Sequence, residues 1–194
     1  MVKDKPIIAL FGGSFDPPHE GHQAIIKKVG SFDDIDKLII MPAFINPFKN
    51  HTMASAQKRL EWCKLLFDEK DIIVSDFEVS KDRPVYTIET LRSLQKNYIV
   101  KYLIIGSDNL EEIEQWHEFD EINDIVIWAV FTRDTNQPDC KMLRQYRLFK
   151  LNIPMSSTEI RTGKSLEQIE EYMLNNIKQA QSVKQQKDKN DNQR

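Results

Sequence analysis

Two histidines three residues apart, His19 and His22, follow a glycine- and proline-bearing segment that closes an apolar run: Phe11-Gly12-Gly13-Ser14-Phe15-Asp16-Pro17-Pro18-His19-Glu20-Gly21-His22. Imidazoles at that spacing on a helix share a face and point into the same space. If the helix opens near Pro18, its unpaired N–H groups and positive dipole end, together with Ser14 and the amides of the glycine turn, make a seat for an anion such as phosphate. Two other readings of the pair stay open on the residues alone. One is metal ligation, although no third His, Cys or Asp stands at ligand spacing; the other is a purely structural role.

A second patch of the same chemistry stands near the opposite end of the chain. Ser156 and Glu159 have the spacing of a capping box, so a short helix should start there, with Ser157 and Thr158 in its first turn and Arg161 close by. Hydroxyls, free amides and a guanidinium make a second anion site, and plain capping explains the same residues without a ligand. The signature G-x-G-x-x-G is absent. Gly163-Lys164-Ser165 imitates the end of a P-loop, but Thr158 occupies the place of its first glycine, so it is set aside.

These groups need a scaffold. Short apolar runs at residues 7–11, 37–41, 71–74, 102–105 and 125–131 alternate with helical spacing at residues 21–29, 54–67, 88–97 and 109–115. The alternation predicts an α/β fold. Runs that are apolar without in-out alternation predict a parallel sheet with helices on both faces. Gly12, Gly13 and Gly106 fall at strand ends, where the ligand crevice of an open α/β sheet lies. One domain is expected over residues 1–177, and residues 178–194, almost wholly polar, are expected to fray from a helix into a mobile tail.

Composition narrows the class of protein. The chain has 194 residues and a net charge of −3, whereas general nucleic-acid binders are more often strongly basic, so no nucleic-acid partner is expected. No apolar run approaches the length of a membrane span, and no export signal is visible. Cys63 and Cys140 have no metal-type spacing and make no disulfide framework, which points to a reducing, cytoplasmic setting.

The segment Gly12 to Pro17 followed by His19-Glu20-Gly21-His22 resembles the signature of the nucleotidyltransferase superfamily with the H-x-G-H motif, and Ser156-Ser157-Thr158-Glu159-Ile160-Arg161 resembles its second motif, S-S-T-x-I-R. The resemblance implies a Rossmann-like sheet and transfer of a nucleotidyl group from a triphosphate with release of pyrophosphate. His19 and His22 would hold the triphosphate and stabilise charge at the transferred phosphorus, with Ser14 assisting. Ser157, Thr158 and Arg161 would contact ATP phosphates on the leaving side, and Gly12, Gly13, Phe15, Gly106 and Asp108 would complete the ATP site. Mg2+ would travel with the ATP.

Three further segments resemble nicotinate-nucleotide adenylyltransferases in particular. They are the loop from Pro42 through Pro47 to Lys49, the helix start Tyr86-Thr87-Ile88-Glu89-Thr90-Leu91, and Ile105-Gly106-Ser107-Asp108 followed by Trp116-His117. By that resemblance the acceptor is nicotinate mononucleotide, with Trp116 stacked on the pyridine, Tyr86 and Thr87 at its carboxylate, and Lys49 offsetting phosphate charge. On the residues alone, Trp116 reads as a half-buried packing residue and Lys49 as a solvated surface lysine. The family's usual Arg-x-Gly-Pro-Ser-Tyr-Thr run departs here to Lys81-Asp82-Arg83-Pro84-Val85-Tyr86-Thr87. The rival readings are an adenylyltransferase for nicotinamide mononucleotide or pantetheine phosphate, and a nucleotide-sensing module without turnover.

Overall fold

The computed structural model describes residues 5–49, 51–132, 137–151 and 156–191, with side chains to 186. Residues 1–4 of the expected domain and 192–194 of the expected tail lie outside the described residues. Six strands, β1 (Ile7–Gly13), β2 (Lys37–Pro42), β3 (Ile72–Val74), β4 (Ile99–Gly106), β5 (Ile127–Thr132) and β6 (Tyr146–Lys150), form one sheet in the order β3-β2-β1-β4-β5-β6. Every pairing is parallel.

Successive residues of each central strand serve opposite faces. Ile8 and Leu10 of β1 join Ile39, Leu103, Ile105 and Trp128 in one core, and Ala9 and Phe11 join Ile40, Ile104 and Phe131 in the other. That is why the strands read as unbroken apolar runs. Helices α1 (Glu20–Val29) and α2 (Ala56–Leu66) cover the second face through Ile26, Val29 and Cys63. Helices α3 (Thr87–Leu94) and α4 (Phe119–Ile125) cover the first through Ile88, Leu91 and Ile122. The chain winds outward from β1 to β3, then returns to place β4 against β1, so the two strands that carry Gly12, Gly13 and Gly106 are neighbours. A crevice beyond their carboxyl ends is the consequence.

Several expectations need correction. Residues 109–115 are not an α-helix but fall into two 3₁₀ turns, Ser107–Glu111 and Ile113–Gln115, broken at Glu112 (φ −121°, ψ 5°). Leu110, Ile113 and Trp116 recur every three residues, the period of a 3₁₀ turn, with acidic side chains between them. Trp116 therefore sits on extended backbone (φ −64°, ψ 139°), not within a helix. The run at 125–131 begins as a strand only at Ile127, because Ile125 closes α4. Helix α5 (Ser157–Arg161) starts at the expected capping box, and α6 (Leu166–Asp191) continues as helix well past Lys178. Ile169, Met173 and Ile177 of α6 pack with Ile160 of α5 on Ala54 and Trp62, which anchors the second motif to the α2 segment. Among the described residues, no helix is long and apolar enough to cross a membrane.

Candidate active site

The first motif folds as a helix cap made of two imidazoles. His19 is the residue before α1, with extended backbone (φ −150°, ψ 174°), and its Nδ1 accepts from the Gly21 amide at 3.1 Å. His22 reciprocates by accepting the His19 amide on its own Nδ1 at 3.1 Å. An Nδ1 that accepts carries no proton, so each neutral ring is held in the tautomer with its proton on Nε2. The rings lie 3.8 Å apart between centroids, and both residues line one cavity. The histidines thus complete the helix start through their Nδ1 atoms.

Phe15 holds this arrangement from beneath. Its backbone adopts φ 47° and its ring, 1% exposed, packs 4.8 Å from the His22 ring. Gly13 permits this, since a Cβ there would come within 3.1 Å of the Phe15 ring. Phe15, expected at ATP, therefore borders the crevice as the floor under His22.

The second motif closes onto the first. Arg161 Nη1 donates to the carbonyl of Asp16, 145 positions earlier, and Ser157 Oγ donates to the Pro17 carbonyl at 2.9 Å. Arg161 Nη2 also donates to Thr158 Oγ1 at 3.2 Å. From the loop after β2, Lys49 Nζ donates to Ser14 Oγ at 3.4 Å. All these groups line a single cavity of about 610 Å³, together with Gly12, Gly13, Gly106, Asp108, Tyr86, Thr87 and Trp116, so every residue singled out in the sequence borders one space. A Cβ at Gly106 would collide with the Asp108 carboxylate, so that glycine admits the acid to the rim.

Trp116 is half-buried and meets Trp128 edge-on at 6.0 Å, while the Tyr86 and His117 rings lie 4.5 Å apart at a tilt of 31°. The Tyr86 amide already donates to Glu89 Oε1 at 3.0 Å, and Glu89 is gripped by Arg83 at 2.6 Å. That grip holds the Glu89 carboxyl down at about 2. Of the two residues expected at a substrate carboxylate, Thr87 keeps the position at the helix mouth and the Tyr86 amide is engaged.

Three residues that bear on the site were not singled out. Arg59, fully buried on α2, donates to the carbonyls of Ser14, Ala43 (2.8 Å), Phe44 (2.6 Å) and Ala54 (3.2 Å). Burial lowers the proton affinity of its guanidinium, and the nearby Asp16 carboxylate works against that. Asp16 spends its two oxygens on the amides of Met53 (2.8 Å) and Ala54 (3.0 Å). Glu78 is 8% exposed and borders the same cavity. Arg59 had a signal: it stands four residues before Cys63 on the core-facing stripe of α2, where a charge is out of place. Glu78 and the carboxylate bonds of Asp16 had none that periodicity could show.

Comparison with known proteins agrees with this geometry. A family model described as cytidylyltransferase-like matches residues 10–163. A Sulfurovum protein named probable nicotinate-nucleotide adenylyltransferase is 45% identical over 92% of this chain and 93% of its own. A protein of the same name from Sulfurimonas denitrificans is 44% identical over 84% of this chain and 87% of its own. Among solved structures, Plasmodium falciparum nicotinic acid mononucleotide adenylyltransferase complexed with NaAD superposes with a TM-score of 0.68 over 90% of this chain and 95% of that one. At 20% identity that likeness speaks to the fold. The family match over most of the chain and the close relatives go further: this chain belongs to the cytidylyltransferase-like family, among its nicotinate-nucleotide adenylyltransferases.

Proposed function

We propose that the protein joins ATP and nicotinate mononucleotide into nicotinate adenine dinucleotide and pyrophosphate. A phosphate oxygen of the mononucleotide attacks the α-phosphorus of ATP in line, one P–O bond forms, and the bond to the β-phosphate breaks. No protein nucleophile is required. Such a reaction asks for positioning and for stabilisation of the charge that spreads over the phosphoryl oxygens.

The observation that carries the reading is that His19 and His22, near one end of the chain, and Arg161, near the other, line one cavity, clasped by the bonds from α5 to the Asp16 and Pro17 carbonyls. The imidazoles donate to oxygens on the transferred phosphorus. Arg161, Ser157 and Thr158 take the departing pyrophosphate, and Lys49, bonded to Ser14, offsets phosphate charge. Thr87 and Trp116 receive the pyridine end, and Asp108 the nucleotide hydroxyls. Mg2+ fits as a companion of the triphosphate and would supply charge neutralisation there, because Asp16, the carboxylate beside Arg161, already gives both oxygens to backbone amides. The two buried free thiols, Cys63 and Cys140, suit a reducing cytoplasm.

The test is a panel of acceptors at constant ATP with pyrophosphate as readout. Nicotinate mononucleotide should give stoichiometric pyrophosphate and dinucleotide. Release with pantetheine phosphate alone would assign another acceptor, and ATP binding without release from any acceptor would favour the sensor.

A further inference from the structure

Glu78 is the buried acid that the reaction above does not use. It precedes the 3₁₀ turn Val79–Lys81, between β3 and α3, and is 8% exposed. Its Oε1 accepts from the Thr90 hydroxyl at 2.6 Å, and Thr90 itself is 1% exposed. Thr90 lies three residues after Thr87 on the same face of α3, so this carboxyl stands about one helical turn behind the residue at the pyridine end. The second oxygen receives no hydrogen bond from any described residue and belongs to a side chain that lines the cavity. A carboxyl that is 8% exposed, commits one oxygen to Thr90 and belongs to a residue lining the cavity is placed where a ligand in that cavity would meet it.

We propose, resting on the mononucleotide reading, that Glu78 is a specificity-determining residue: protonated, it admits the nicotinate carboxylate, and ionised, it repels that carboxylate and favours the neutral amide of nicotinamide mononucleotide. A protonated carboxyl donates a hydrogen bond to a carboxylate oxygen. An ionised one places like charges together in a poorly solvated pocket, whereas it accepts readily from an amide NH2.

The surroundings put the change of state in a useful range. Burial pushes Glu78 up to about 7, with the Thr90 hydroxyl pulling down and the Glu89 carboxylate adding to the rise. The charged and titratable groups facing the same cavity from its other walls are Asp108, Glu112, His117, Tyr86, Lys49, His19, His22 and Arg161. Glu89 is the charged neighbour on α3.

The experiment measures kcat/KM for nicotinate and nicotinamide mononucleotides between pH 6 and pH 8 and reads their ratio. Titration of ATP and of the shared mononucleotide phosphate cancels in a ratio. If only the protonated form accepts nicotinate, the ratio falls at least about tenfold across that span, following the competent fraction, and further as the ionised form gains the amide. Glu78→Gln keeps the shape and a partner for Thr90, and it should flatten the ratio. A flat ratio in the unaltered protein overturns the inference, as does a Gln variant that keeps the slope. Turnover with neither mononucleotide would instead overturn the reading of the reaction and is distinguishable at once.

Discussion

Replacing Arg59 by Met removes the group that ties three parts of the site together. Its guanidinium joins the loop after β1 at Ser14, the loop after β2 at Ala43 and Phe44, and the entry to α2 at Ala54. A Met of similar reach fills much of the volume but leaves four buried or half-buried carbonyls without their donor and the Asp16 carboxylate without its neighbouring charge. Loss of one partner from a buried charged network costs about 3–5 kcal/mol. In a domain of this size each kcal/mol moves the melting temperature by about 2–4 °C, so the melt should fall by roughly 6–20 °C. The two loops also carry Ser14 and Lys49, and a shift of about 1 Å in such groups lowers turnover about 10²-fold. Arg59→Lys keeps the charge but loses the fork that serves several carbonyls at once, and should fall between the two. Thermal melts and pyrophosphate release on the three proteins test this together. A Met variant that melts within about 1 °C of the parent and turns over at its rate would refute the claim that this residue organises the loops.

Other substitutions separate catalysis from folding. His19→Ala or His22→Ala should lower kcat by about 10²–10³-fold, as for loss of a donor to developing charge, and cost about 1 kcal/mol as lost caps; comparable losses of both would make the pair structural. Lys49→Met, at an exposed position, should leave stability within about 0.5 kcal/mol and reduce turnover at least tenfold; unchanged turnover would return Lys49 to the solvated surface. Glu78 binds its proton more tightly folded than unfolded, so between pH 4.5 and about 7 the unfolded chain has released a proton that the folded chain keeps. Stability from that source falls as pH rises through the window, by up to about 3 kcal/mol, and Glu78→Gln should remove that part of the decline in thermal melts. A pH profile of stability identical in parent and variant would contradict it.

How much was legible depended on where each residue's partners lie. The strand β1, its glycine exit and the capping box at Ser156 are local patterns, and the structure reproduces them with small changes of boundary. Strand β6 escaped notice because it lies at the sheet edge, where Tyr146, Arg147 and Lys150 need no apolar neighbour on their outer side. Helix α4 escaped because seven residues with one fully buried side chain, Ile122, show no helical period. The polar stretch after Lys178 read as a tail for want of apolar residues, yet Lys, Gln and Ala are good helix formers, and α6 runs on to Asp191, with Lys184 pairing with Asp68 at 2.7 Å. In the site, the groups that would touch a ligand were visible from motif spacing. The groups that hold them, Arg59 and Asp16, act through backbone atoms distant in the chain, and residue type alone does not say which carbonyl or amide it will meet.

The most direct measurement is a crystal structure with a non-hydrolysable ATP analogue. The account requires the α-phosphate oxygens within hydrogen-bond distance of Nε2 of both His19 and His22, with Arg161 on the β- or γ-phosphate. A triphosphate bound away from the imidazole pair, or one reached by the imidazoles while Arg161 stays on the Asp16 carbonyl without touching it, would contradict the claim that the two ends of the chain act on one polyphosphate.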